Sequence, residues 1–145
     1  MINLTKVNKF DRIMYLLLVF FTVSVTHALA EPGLRITSPG NGVTIKGPDV
    51  TVTIELSDVT LVAPSSATKK EELHVIYALD VDTKPFLDGT APKLGSGANR
   101  LHRGGTSVTF KDVAPGRHRV QVILVYSDHT SIKPLVAPSV SFVVE

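Results

Sequence analysis

Hydrophobic and polar residues alternate along four stretches of the chain, 50–57, 73–81, 117–126 and 139–144. In each stretch apolar side chains recur at every second position, as in Val50, Val52, Ile54 and Leu56. A period of two predicts β-strands with one apolar face. After residue 30 no stretch holds the 3.6-residue period of an amphipathic helix, so the pattern predicts an all-β protein.

Shorter apolar segments and turn signals complete the pattern. The segments are 34–37, 43–45 and 107–110. Glycine, proline and asparagine cluster in the turn 38–42, and Pro115-Gly116 precedes the longest strand. The total of about seven strands predicts a single β-sandwich of the immunoglobulin or fibronectin-III type over residues 31–145.

The first thirty residues have the composition of a secretory signal peptide. Three basic residues precede an uninterrupted apolar run over 13–21, and the segment ends in Ala28-Leu29-Ala30. We expect cleavage after Ala30, because small residues fit the pockets of signal peptidase. The alternative is retention as a membrane anchor, but nine apolar residues fall well short of the roughly 20 that span a bilayer. The expected location is periplasmic or secreted, with only transient membrane contact.

Charge and composition narrow the function classes. The chain carries 15 basic and 13 acidic residues, and removal of the predicted signal leaves twelve of each. A neutral domain lacks the positive field that nucleic acids require, so no nucleic-acid partner is expected. The chain has no cysteine, which excludes disulfides, thiolate metal ligands and cysteine nucleophiles. A cysteine-free exported domain of this length depends on its hydrophobic core alone.

The segment 82–105 is the first place to look for a binding site. It contains two prolines and five glycines, which predict a long irregular loop. Such loops are usually functional or mobile. We expect Arg100, His102 and Arg103 to make the polar contacts of this loop and Phe86 to be its apolar anchor. The alternatives are a solvated basic loop and a surface excursion in which Phe86 is buried.

Short motifs give the chain a family resemblance. They are His74 with Asp80 in one strand, Gly104-Gly105-Thr106 in a turn, Pro115-Gly116-Arg117-His118 before a strand, and Asp128-His129 after it. In order and spacing they resemble a histidine-containing family of small exported bacterial domains whose function is not established. That family carries three consecutive histidines where this chain has His74-Val75-Ile76. The resemblance implies an immunoglobulin-like domain over residues 34–145.

A second resemblance, of residues 113–122 to a recurring segment of bacterial immunoglobulin-like domains, implies a structural role for His118. In fibronectin type III domains a tyrosine at the corresponding place forms the tyrosine corner. We expect the ring of His118 to take that role by bonding back to a nearby backbone group.

A histidine-based metal site is the alternative function. Imidazole binds zinc, copper(II) and nickel, and three converging rings make a site without sulfur ligands. The three candidates are His74, His102 and His129, which would hold a single divalent transition metal. No two of them have H-x-H or H-x-x-x-H spacing, so only the fold could bring them together.

Catalysis is not expected. The chain has no G-x-S-x-G, H-E-x-x-H or phosphate-binding P-loop motif, and no acidic pair stands out as the two carboxylates of a glycosidase. The preferred hypothesis is therefore a non-enzymatic exported binding module without a cofactor, which recognises a protein or small ligand through 82–105. Strand addition at an exposed sheet edge is a second route to a partner.

Overall fold

The structure is a computed structural model that describes residues 32–145. The predicted signal peptide and its cleavage site lie outside the described residues. In the described part no helix is long and apolar enough to cross a membrane. The elements are β1 Gly33–Ser38, β2 Thr44–Ile45, β3 Val50–Ser57, β4 Leu73–Leu79, α1 Lys84–Leu87, β5 Arg100–Arg103, β6 Ser107–Phe110, β7 Gly116–Tyr126 and β8 Ser139–Val144.

The strands form two sheets that pack face to face. One has the order β1-β3-β6 and the other β2-β8-β7-β4-β5. All pairings are antiparallel except that of β2 with β8. The prediction of an all-β sandwich is confirmed, with eight strands in the described part where about seven were expected. Its immunoglobulin or fibronectin-III type stays a prediction.

The main core lies between the two sheets. Alternate residues of β3 and β6 meet alternate residues of β4, β7 and β8, as the period of two predicted. Tyr77 is fully buried in this core and donates its hydroxyl hydrogen to the carbonyl of Gly105 at 3.1 Å. Burial raises the pKa of Tyr77 to about 12, so the phenol stays protonated.

The outer face of the five-stranded sheet is also covered. Ile76 and Ile123 point away from the main core and pack with Phe86, Leu94 and Val125 in a second cluster. The covering chain is the excursion after β4, which contains α1, together with the segment that leads to β8. Both faces of β4 and β7 are therefore buried, which is unusual for an antiparallel sheet.

A buried glutamine fastens this covering layer. Gln121 is 5% exposed; its side-chain carbonyl accepts a hydrogen bond from the Thr83 hydroxyl, and its amide donates to the carbonyl of Ala137 at 2.9 Å. Both covering segments are thus tied to β7 by one side chain. A buried amide satisfied on both sides costs little and fixes the position of its partners.

The predicted strands match the observed ones closely, but one strand was missed. The stretch 82–105, expected to be an irregular loop, contains α1 and the edge strand β5. Four residues give too short an alternation to separate a strand from a loop. Strand β5 forms because it pairs with β4, with Ile76 opposite His102.

Phe86 is expected to behave as a core residue. It is 4% exposed, so the Phe86→Ala protein should lose about 3–5 kcal/mol of unfolding free energy, measured by urea denaturation. Leu135→Ala is the control, because that side chain is 40% exposed and should change stability by less than about 1 kcal/mol. Equal and small losses in the two variants would contradict the position of Phe86.

Candidate metal centre

Two histidines project from neighbouring strands onto the same face of the five-stranded sheet. His74 is the second residue of β4 and lies opposite Val125 of β7, whereas His102 of β5 lies opposite Ile76. Residues opposite each other across a pair share a face, and so do residues two apart in one strand. His74 and His102 are therefore diagonal neighbours on the outer face, at the end of the sheet where β4 begins.

The third histidine comes from the turn that follows β7. The backbone N–H of His129 donates to the carbonyl of Tyr126 at 2.8 Å, and the N–H of Tyr126 donates to the carbonyl of Thr130 at 3.0 Å. His129 has a φ of 65°, in the left-handed region. This is the pattern of a type I turn followed by a left-handed residue, a position usually held by glycine or asparagine.

The three rings converge. A potential ligand atom of each lies within 4.8 Å of those of the other two. The ring centroids are 5.5 Å apart for His74 and His102, 5.0 Å for His74 and His129, and 4.5 Å for His102 and His129. His74 is 1% exposed, and the other two are partly buried.

Ring nitrogens of this group lack hydrogen-bond partners. Nε2 of His74 and both ring nitrogens of His102 are buried without one. A buried polar atom without a partner costs about 1–3 kcal/mol relative to one that is satisfied. Three such atoms lie in one cluster, so these ring nitrogens are available to a ligand.

Burial favours the neutral forms of His74 and His102. Desolvation lowers the pKa of His74 from 6.5 to about 4, and the charges that His129 and His102 can carry lower it further. Burial is also the main cause of the lowered pKa of His102, and the charges of His129, Arg100 and Arg103 add to it. Neutral imidazole is the form that binds metal ions.

The residues fit a divalent transition metal. Tetrahedral zinc with Zn–N bonds of 2.0–2.1 Å places its ligand nitrogens about 3.3 Å apart. The ligand atoms of the three histidines are at most 4.8 Å apart, so they would have to approach one another by up to about 1.5 Å to reach that value. Three protein ligands leave at least one coordination position for water or another ligand.

The acidic residue nearest in sequence is already engaged. One carboxylate oxygen of Asp128 accepts hydrogen bonds from the Thr130 hydroxyl at 2.6 Å and the Thr130 N–H at 3.0 Å. The other oxygen lies 3.1 Å from Nζ of Lys70. The hydrogen bonds from Thr130 and the charge of Lys70 hold the pKa of Asp128 well below its usual range.

A close backbone contact lies beside His102. A Cβ built on Gly104 would lie 2.4 Å from the backbone nitrogen of Ala63, closer than any real contact. Glycine therefore allows the chain around Val62 and Ala63 to pass against the end of β5. The Val62 N–H donates to the Leu73 carbonyl at 2.7 Å, so this segment is also joined to the start of β4.

The other histidine of the described chain is placed quite differently. The ring of His118 lies 2.7 Å from the Ala114 carbonyl through Nε2 and 2.7 Å from Oδ2 of Asp80 through Nδ1. Both partners are acceptors, so both hydrogen bonds form together only when each ring nitrogen carries a hydrogen, as in the imidazolium. Burial alone would lower the pKa of His118, but the bonds to Asp80 and Ala114 and the charge of Asp80 together raise it.

The residues expected to contact a partner do not form one surface. Phe86 is buried in the second core cluster. Arg100 lies in β5 with its guanidinium against Gly97, and Arg103 is exposed with Nη1 donating to the carbonyl of His102 at 2.9 Å. His102 faces the other two histidines rather than solvent. The loop site expected from these four residues is therefore not assembled as a surface.

Two clefts lie on either side of the Asp80–His118 pair. The larger, about 560 Å³, is lined by Leu101, Arg103 and Phe110 among others, and the smaller, about 410 Å³, by Arg119 and Phe142. Neither is lined by a residue of the histidine cluster. Of the polar features that sequence reasoning missed, Gln121 carries no motif, whereas Asp128 with Thr130 two positions later has the spacing of an Asx turn.

Comparisons with known proteins leave the function open. No family model and no curated protein matches the chain. Among solved structures, the chain is similar to a crystal structure of an engineered protein, with a TM-score of 0.40 and 12% identity. The match covers 80% of this chain and 20% of the other, so the chain spans about a fifth of that structure's length. Function is therefore inferred from the geometry of the chain's own residues.

Substitution of His129 is expected to separate stability from metal binding. Asparagine tolerates the left-handed conformation better than histidine, so His129→Asn should leave the metal-free protein at least as stable as the parent. His74→Asn should lose about 2 kcal/mol, because it leaves a cavity and an unsatisfied amide in a fully buried position. Urea denaturation with a chelator present measures both. A larger loss in His129→Asn than in His74→Asn would contradict the assignment.

His118 is expected to stabilise the fold more in acid than in base. Its pKa is raised in the folded state above the ordinary value of 6.5. Its contribution is therefore fully present below pH 6.5 and is lost as the pH rises through the folded-state pKa. The difference in unfolding free energy between the parent and His118→Gln should be larger at pH 5.5 than at pH 9. A chelator keeps both proteins metal-free. The other histidines contribute equally to the unfolding free energies of the two proteins, so their contributions cancel in the difference. A difference that grows with pH would contradict the paired imidazolium.

Proposed function

We propose that this protein is a non-enzymatic exported binding protein for a single divalent transition metal, zinc or copper(II), held by His74, His102 and His129. The observation that carries the proposal is the convergence of three imidazoles from two strands and a turn. Their ligand atoms lie within 4.8 Å of one another, and three of the ring nitrogens are buried without a partner.

The donor set supports this choice of metal. All three donors are imidazole nitrogens, which suit zinc, copper(II) and nickel, whereas magnesium and calcium prefer oxygen ligands. The only methionines of the chain are Met1 and Met14, in the predicted signal segment, and there is no cysteine. The soft sulfur ligands that select copper(I) are therefore missing from the domain.

Binding is supported over hydrolysis by the surroundings of the cluster. Hydrolytic metal sites open into a cleft that holds the substrate beside the metal. The two clefts around Asp80 and His118 are lined by other residues. His74 and His102 instead lie opposite Val125 and Ile76 of the second core cluster, and His74 is almost fully buried. That setting suits the capture or retention of an ion.

The partner-module hypothesis has less support. Its apolar anchor Phe86 is 4% exposed, and His102 turns toward His74 and His129. Strand addition at the free edge of β5 stays a prediction. Export likewise rests on the N-terminal sequence pattern.

Metal addition to the purified, untagged protein should raise its thermal midpoint. A ligand that binds only the folded state stabilises it by about 2.7 kcal/mol at 100 times its Kd, about 10 °C for a domain of this size. Calorimetric titration with zinc, copper(II) and nickel should give one site per chain. Magnesium should give none.

The variants His102→Gln and His129→Asn should each lose this shift. His118→Gln is the matched control, because it removes a histidine but no proposed ligand; it should bind one metal ion with the parent's affinity. The proposal is wrong if no metal shifts the parent's midpoint, or if His118→Gln loses binding while the other two variants keep it.

A further inference from the structure

We propose that Asp128 is a positioning residue, which holds the turn after β7 in the shape that presents His129 to the metal. The proposal rests on the proposed function of the three histidines. It assigns to Asp128 a role that is distinct from metal ligation.

His129 adopts a backbone conformation that is uncommon for a residue other than glycine. Its φ of 65° lies in a region that non-glycine residues enter at a cost of about 1–3 kcal/mol. Such a conformation persists only where neighbouring interactions over-determine it. Without such interactions the backbone of the turn would relax, and the imidazole of His129 would move away from His74 and His102.

Asp128 supplies those interactions from the preceding position. One of its oxygens accepts both the hydroxyl hydrogen and the backbone N–H of Thr130, at 2.6 and 3.0 Å. These bonds close a loop around His129, since its neighbours on both sides are joined directly. The two backbone bonds between Tyr126 and residues 129 and 130 close the turn from its other side.

The turn is also anchored to the segment that leads into β4. The second oxygen of Asp128 lies 3.1 Å from Nζ of Lys70. The hydroxyl of Ser127 donates to the carbonyls of Lys69 and Lys70, at 2.8 and 3.2 Å. This segment ends where β4 begins, one residue before His74. The turn that carries one proposed ligand is thus fastened to the strand that carries another.

The same contacts argue against Asp128 as a fourth ligand. Ligation through one oxygen would compete with the two hydrogen bonds from Thr130, and ligation through the other would compete with the ion pair to Lys70. Residues that support metal ligands from behind typically change metal affinity by about 10- to 100-fold when they are removed.

The test compares Asp128→Ala with Asp128→Asn. Asparagine keeps a side-chain oxygen that can accept both hydrogen bonds from Thr130, whereas alanine can accept neither bond. We expect Asp128→Ala to weaken copper(II) binding by about 10- to 100-fold, measured by competition with a chelating dye. Its electron paramagnetic resonance spectrum should change from that of three nitrogen ligands toward two. Asp128→Asn should stay within about 3-fold of the parent and keep the parent's spectrum.

If Asp128 had a purely structural role, Asp128→Ala would lower the thermal midpoint of the metal-free protein. The copper(II) affinity and the spectrum of the folded variant would then equal those of the parent, and that result would overturn the proposal. So would equal weakening in Asp128→Asn and Asp128→Ala. Should Asp128→Ala not fold, Thr130→Val, which loses the hydroxyl bond alone, takes its place. Weaker binding by this variant supports the role, and parent-like binding overturns it. Failure of the parent itself to bind copper(II) would instead overturn the proposed function.

Discussion

Burial of both faces of β4 and β7 is the constraint on which the rest of the structure depends. In an ordinary antiparallel sheet one face of each strand meets water. Here Val75 and Leu124 point into the sandwich while Ile76 and Ile123 point out of it, and all four are fully buried. The three-stranded sheet covers the first set. The second set requires another cover, which the excursion with Phe86 and the segment before β8 provide.

This second cover also determines the chemistry of the histidines. His74 and His102 lie on the outer face, next to the apolar cluster, and are largely removed from water. Desolvation penalises their charged forms, so they remain neutral donors. His118 belongs to the same residue type but has two acceptors at 2.7 Å, which favour its protonated form. The same type of side chain is therefore a proposed metal ligand in one environment and a member of an ion pair in the other.

Most of the fold could be predicted from the alternation of side chains, because that period is a local property. The strands around Val52, Val122 and Phe142 follow from it directly. Strand β5 and the burial of Phe86 could not be predicted in this way. A four-residue edge strand is too short to show a clear period. An aromatic residue beside a proline gives the same sequence pattern whether a second layer covers it or water surrounds it. The strand forms only because β4 offers a partner.

The sequence by itself determined the strand pattern, the absence of sulfur chemistry and the three histidines that could serve as ligands. Only the tertiary structure decided that they meet. His74 and His102 are 28 positions apart and His129 lies another 27 beyond, so no spacing in the chain encodes their contact. Antiparallel register brings the first two to one face, and the turn held by Asp128 brings in the third. Register and turn geometry are relations between distant segments, and these relations come into being only when the chain folds.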